Sequence, residues 1–257
     1  MNPVKIAPNE LKFGIGGFQF PISRPHPFGI VFEGAPAGSS DDYLHEVLLN
    51  SENRSAFLTL IENEGLVVCK NVRTSTTSYR KVRGKSSYGR LSQAEYYHHD
   101  GCSCPQKPRV VEIRFPYQDI ERNVSTAVAR LPDILRAMFL ALPRNLKSSL
   151  DIAQYRELYS GPVERFPSVA DWDKAQGRVT RLVRREMDAE SARSYFRDVD
   201  HLACAYDAPW EMGESRLISN NQTDLAKTMQ HRRAYQLPRQ PNQQNGGLVK
   251  RWTAEET

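Results

Sequence analysis

The chain has 257 residues, a length that suits one large domain better than two full ones. Hydrophobic residues make up 39% and charged residues 25%, an ordinary globular balance. No apolar run approaches the roughly 18 residues of a membrane span, and the +5 net charge is too scattered to predict a nucleic-acid surface.

The start, Met1-Asn2-Pro3-Val4-Lys5, lacks the basic segment and apolar stretch of a signal peptide, which predicts a cytoplasmic protein. Cys69, Cys102, Cys104 and Cys204 are too few in such a chain for a disulfide framework and are expected to be reduced. Cys102-Ser103-Cys104 has one intervening residue, closer than structural zinc sites use, and no second pair accompanies it.

In chain order, residues 1–40 are rich in Pro and Gly, with short strand-like pieces at Leu11-Lys12-Phe13 and Gly29-Ile30-Val31-Phe32. Asp41 to Glu64 reads as helical, with Asp41 or Asp42 and then Ser51 as caps, and Gly65 as the stop. Leu66–Cys69 reads as a buried strand. Residues 72–93 are polar and aperiodic and predict a long loop, a type of segment that is often functional.

Glu95–Asp100 and Arg109–Phe115 read as strands, and Val124–Leu142 as one kinked helix or two, interrupted by Pro132. Trp172–Met187 and Ala189–Phe196 are helical; Arg178, Arg181, Arg184 and Arg185 in the first of them read as a solvated face. Strands return at Leu202–Tyr206, Arg216–Ser219, Met229–Gln236 and Leu248–Thr253. The expectation is a mainly β fold with helices (α+β), a β-sandwich or jelly roll with N-terminal helices and a helical insert at about 120–200, in a single domain spanning 1–257.

His98-His99-Asp100 carries the chemistry. On a strand, residues i and i+2 share a face, so His98 and Asp100 converge while His99 turns away. A second imidazole would complete the two-His, one-carboxylate triad that leaves open positions on iron. Of the six histidines, His231 is the best third ligand, on a late strand 133 residues beyond His98. Further on, Arg251 and Thr253 form another i, i+2 pair, and a guanidinium fork with a hydroxyl suits a carboxylate.

Tyr97-His98-His99-Asp100-Gly101 resembles the H-x-D-G signature of the iron(II)/2-oxoglutarate-dependent dioxygenases, in the branch of taurine dioxygenase and clavaminate synthase. Gly65–Val72 resembles the phrase preceding that signature; Trp210, Gly213 to Asn221, the His231-x-Arg233 step and Arg251 resemble its late part. Together these span about residues 55 to 253.

The resemblance implies a double-stranded β-helix (jelly roll, cupin-like), with His98, Asp100 and His231 on Fe(II). It implies 2-oxoglutarate as cosubstrate on Arg251, beside Thr253, and O2 as oxidant. Arg233 and Arg239 stand as alternatives to Arg251. Three departures are His99 between the metal His and Asp, Ser219-Asn220-Asn221 where Asp-Asn is usual, and a short tail after Arg251.

The expected activity is oxidation of an unactivated C–H bond in a small metabolite, an amino acid or a derivative of one, by hydroxylation, desaturation or ring closure. Tyr79, Arg80, Tyr88, Arg90 and Tyr97 are the candidate substrate residues, since loops collect such roles. The expected partner is a small molecule, with no nucleic acid and no membrane, in a monomer or homodimer. The alternative is a β-sandwich protein that binds a small ligand or another metal through the same histidines.

Overall fold

The structure is a computed structural model. It describes residues 11–36, 38, 42–72, 80–81, 95–100, 108–115, 124–150, 169–221, 224, 227–235 and 248–252. The described residues hold ten strands: β1 (Leu11–Ile15), β2 (Phe18–Ser23), β3 (Ile30–Phe32), β4 (Leu66–Cys69), β5 (Arg80–Lys81), β6 (Val110–Phe115), β7 (Val124–Arg130), β8 (Glu214–Ser219), β9 (Met229–Tyr235) and β10 (Leu248–Trp252). The helices are α1 (Arg54–Glu64), α2 (Leu131–Ala141), α3 (Arg144–Lys147), α4 (Val169–Glu186) and α5 (Ala189–Leu202), with a π-helical turn at Leu44–Leu48.

Eight strands form one mixed sheet in the order β1-β2-β3-β4-β8-β6-β10-β5, antiparallel throughout except for the parallel pair β3–β4. The second sheet is the antiparallel pair β7–β9, widened by single bridges: His98 to His231 on one side, Tyr206 to Val128 and Pro209 to Ser125 on the other.

Alternation along these strands sorts the core into layers. Ile30, Phe32, Val67, Cys69, Val110 and Leu217 pack against the π-helical turn and α1. Val31, Leu66, Val68, Val111, Ile113 and Ile218 face the other way and meet Val128 of β7 and Met229 of β9. The far side of the second sheet presents Ala127, Ala129 and Ala234 to α2, α4 and α5. Small side chains there let the helices lie close to the backbone. The order is thus helix, sheet, sheet, helix.

Arg216 ties the two sheets together. It is fully buried, donates to the Thr126 carbonyl of β7 at 3.0 Å and to the Ala208 carbonyl at 2.7 Å, and is held by Glu214 at 2.5 Å. Its guanidinium also lies 4.0 Å from the Trp210 ring centre. A buried charge needs such full pairing to be tolerated.

Several expectations change. The segment from Val124 is a strand up to Arg130, and the helix begins only at Leu131, with Pro132 in its first turn. A proline lacks the N–H that a first turn leaves unused, so Pro132 starts a helix here and does not kink one. The stretch at 120–200 therefore contributes a strand as well as helices.

Glu95–Asp100 is an irregular ribbon with one bridge, and Leu202–Tyr206 is a helix end and turn that reaches a bridge at Tyr206. The helical stretch from Asp41 to Glu64 divides at residues 49–53, and the residue that precedes α1 is Asn53, without a side-chain cap bond, and not Ser51. The loop at 72–93 falls mostly outside the described residues, apart from Val72 and β5. Among the described residues no helix is long and apolar enough to cross a membrane.

Candidate metal centre

Strand β9 divides its side chains between two tasks. Val128, the partner of His231 across the ladder, belongs to the core between the sheets, as does Met229. Residues 229, 231 and 233 therefore face that interior, and 230, 232 and 234 face the helices. His231 is 7% exposed.

The ribbon at 95–100 runs along the free edge of β9. His98 N–H donates to the His231 carbonyl at 3.1 Å, and His231 N–H donates back to the His98 carbonyl at 3.3 Å. This reciprocal pair brings the two imidazoles together, with ring centres 4.6 Å apart and planes inclined by 54°. Asp100 follows two residues later, its Oδ2 3.7 Å from His231 Nε2.

Ligand atoms of His98, Asp100 and His231 all lie within 4.8 Å of one another, and among the described residues no other three His, Cys, Asp or Glu side chains converge in this way. His98 Nδ1 is 2.7 Å from the Tyr96 carbonyl. A carbonyl only accepts, so Nδ1 carries the proton and Nε2 keeps its lone pair, the usual way a metal-ligating imidazole is oriented. Asp100 is steadied from behind: the buried Asn220 amide donates to the Asp100 carbonyl at 3.1 Å and to the Pro108 carbonyl at 2.8 Å. Two nitrogens and a carboxylate oxygen on a short edge, with partly exposed His98 and Asp100 at its mouth, suit a divalent transition metal with open positions.

The opposite face of the same two segments, at Tyr97 and Arg232, is an anchor. Tyr97 Oη donates to Asp200 Oδ1 at 2.7 Å, and Arg232 Nε donates to the same oxygen at 2.7 Å while a second guanidinium nitrogen reaches Asp200 Oδ2. Burial pushes the Tyr97 phenol well above its ordinary range, and the Asp200 carboxylate adds to that. Burial works to lower the Arg232 pKa, but the attraction of Asp200 outweighs it and the value is raised. Beside this trio, Gln176 and Gln230 exchange amide hydrogen bonds at 2.5 and 2.9 Å, joining α4 to the residue before His231. Gln230 Nε2 also lies 3.4 Å from His99 Nδ1 and 3.3 Å from Asp173 Oδ1.

The sequence-derived candidates are distributed as follows. His98, Asp100 and His231 come together, and His99 turns to the helical side. Tyr97, a candidate for substrate contact, has its hydroxyl committed to Asp200. Arg233 is half-buried, opposite Thr126 in the ladder, on the His231 face, and among the described residues no carboxylate pairs with it.

Arg251 stands opposite Val111 in the β10–β6 register, and Arg80 opposite Val249. Thr253, Arg239, Tyr79, Tyr88, Arg90, Cys102 and Cys104 lie outside the described residues. Asn220, Asp200, Arg232, Gln176 and Gln230 were not foreseen. Arg232 had a signal, a charge next to the candidate ligand His231 on a predicted strand, and so on the opposite face from it.

No family model matches the chain, and no curated protein matches it. Solved structures do. One is AAD-2 in complex with Mn(II) and N-oxalylglycine, at 11% identity and a TM-score of 0.47, covering 91% of this chain and 97% of that one. A second is a protein assigned as an alpha-ketoglutarate-dependent taurine dioxygenase from Burkholderia xenovorans, at 11% identity and 0.44, covering 91% and 92%. A third is PvcB from Pseudomonas aeruginosa, at 12% identity and 0.45, covering 90% and 87%. Similarity at that level assigns neither family nor substrate, and the functional reading rests on the side chains of the centre.

Proposed function

We propose that this chain is an Fe(II)/2-oxoglutarate-dependent oxygenase of a small metabolite, built as one double-stranded β-helix domain. The observation that carries the reading is the convergence of His98, Asp100 and His231 within 4.8 Å, with His98 Nδ1 held by a carbonyl so that Nε2 is the free donor. Two imidazoles and one carboxylate are the ligand set of non-haem iron oxygenases, and they leave sites for cosubstrate and oxygen.

When bound, iron supplies oxygen activation coupled to oxidative decarboxylation of 2-oxoglutarate, and the chain supplies placement and exclusion of water. His98, Asp100 and His231 are the proposed ligands. Asn220 holds the Asp100 backbone in place. Arg251 is the proposed anchor for the far carboxylate of 2-oxoglutarate, with Thr253 beside it. Arg233, two residues from His231 on the same face, is the alternative anchor. An amino acid or a compound derived from one is the proposed substrate, from the resemblance already described.

The test is anaerobic. Fe(II) and 2-oxoglutarate added to the wild type are expected to give a weak visible charge-transfer band, and His98→Ala is expected to lose it. With air, succinate is expected to form with oxygen uptake. A band that survives in His98→Ala would sink the ligand assignment. Metal binding without any succinate would point to the alternative, a metal-binding sandwich protein. Arg251→Gln is expected to raise the half-saturating 2-oxoglutarate concentration at least about tenfold, the scale of a lost charge-assisted bond of ~1.5–3 kcal/mol; a rise confined to Arg233→Gln would transfer the role.

A further inference from the structure

The arginine row that reads as a solvated helix face in the sequence has a second aspect in the structure. A cavity of about 610 Å³ lies between α4 and the ribbon Tyr96–His99, on the helical side of the second sheet. That is the size of a small-metabolite site, for which cavities of roughly 300–1,000 Å³ are usual. Its α4 wall is Asp173, Gln176, Gly177, Thr180, Arg181 and Arg184. Three- and four-residue spacings link them in two rows, 173-176-180-184 and 173-177-181, so they share one face of the helix.

Arg178 and Arg185, on the same helix, do not line the cavity. The two arginines that do line it are placed differently from ordinary surface charges. Arg181 Nη1 lies 3.5 Å from where a Cβ on Gly177 would stand, so its guanidinium folds back one turn over a residue that has no side chain. Arg184 stacks over Tyr96, its guanidinium carbon 5.5 Å from the ring centre. Stacking holds a guanidinium by its face and leaves the N–H edge for an acceptor.

Among the described residues, neither Arg181 nor Arg184 has a carboxylate partner. The floor is buried and polar: His99, Gln176 and Gln230. Two guanidinium forks about one turn apart along the helix, over a polar floor, match the chemistry of an oxyanion.

We propose that this cavity is a binding site for the carboxylate or phosphate group of a small metabolite, with Arg181 and Arg184 as its cation pair. It adjoins the metal centre: His98, a proposed ligand, is also among its lining residues, and its floor is made of chain neighbours of the ligands, since His99 sits between His98 and Asp100 and Gln230 precedes His231.

Calorimetric titration of metal-free full-length protein at low ionic strength, with inorganic phosphate and separately with acetate, tests the site. Saturable one-to-one binding of at least one of them is expected in the wild type, and the stronger probe identifies the group. Arg181→Gln/Arg184→Gln is expected to weaken it at least tenfold. The control pair Arg178→Gln/Arg185→Gln removes the same charge from the same helix and is expected to leave it within about twofold. His231→Ala is expected to keep it, so loss of metal binding in that variant tests the oxygenase reading separately. No saturable binding of either anion, equal weakening by both arginine pairs, or loss of anion binding in His231→Ala would each overturn the proposal.

Discussion

His98 and His231, 133 positions apart in the chain, exchange both of their backbone hydrogen bonds with each other, at 3.1 and 3.3 Å, although His98 belongs to no regular strand. The main chain therefore sets the spacing of the two imidazoles before any metal is present. Only the third ligand depends on a turn, and that turn hangs on Asn220.

Replacing Asn220 with Ala removes the donor to both the Asp100 and Pro108 carbonyls. Outer partners of this kind are worth about 10–100-fold in metal affinity. Asn220→Ala is therefore expected to weaken Mn(II) or Fe(II) binding by that factor, while circular dichroism stays that of the wild type. Unchanged metal affinity in a folded variant would show that Asp100 does not need the support.

The Asp200–Arg232 pair is a stability element. Both side chains are almost wholly buried, and Tyr97 completes the carboxylate's partners. Breaking a buried pair by removing one member typically costs ~3–5 kcal/mol, because the other charge stays behind. Asp200→Ala is expected to lower the urea midpoint accordingly. The double variant Asp200→Leu/Arg232→Met is expected to recover much of that loss. A double variant as damaged as the single would mean that packing, not charge, dominates there.

Glu112 governs part of the acid limit. It is fully buried on the α1 side of the large sheet, accepts from Ser215 Oγ at 2.7 Å, and lies 3.3 Å from Arg114 Nε and 3.8 Å from His45 Nε2. Burial alone would raise its pKa, but His45, Arg114 and Ser215 together outweigh it and the value falls below the ordinary 4.5. A carboxyl depressed in the folded state adds stability above its unfolded pKa and loses it as pH falls through the folded value. Urea midpoints are therefore expected to drop below about pH 4.5, and Glu112→Gln to be less stable at neutral pH with a shallower acid slope. An identical acid slope in the variant would assign the loss to other carboxylates.

Much of the centre was legible in the sequence because strands have a period of two. Face, chain order and the family resemblance together singled out His98, Asp100 and His231, which the structure brings within 4.8 Å of one another. Element type failed where burial hid the period. Ser125, Thr126, Ala127, Val128 and Ala129 are buried on both faces of β7, so their pattern mimics a helix.

The supports of the centre were not legible for a different reason. Asn220 acts through its amide on carbonyls 112 and 120 positions away, and Asp200 meets Tyr97 across 103 positions. Local patterns carry no trace of such pairs. Arg181 and Arg184 were visible as a charged row, but only the packing of α4 beside Tyr96 separates them from Arg178 and Arg185.

Strand β9 carries a candidate ligand on one side and a buried ion pair on the other, in adjacent residues. Its position in the ladder is therefore all-or-none. A slip of one residue would carry His231 toward the helices and drive the Arg232 charge into the apolar space beside Val128 and Met229. Both errors would occur in the same step. A misregistered chain would thus be too unstable to persist as a folded, inactive population, and molecules that fold at all would fold with His231 beside His98.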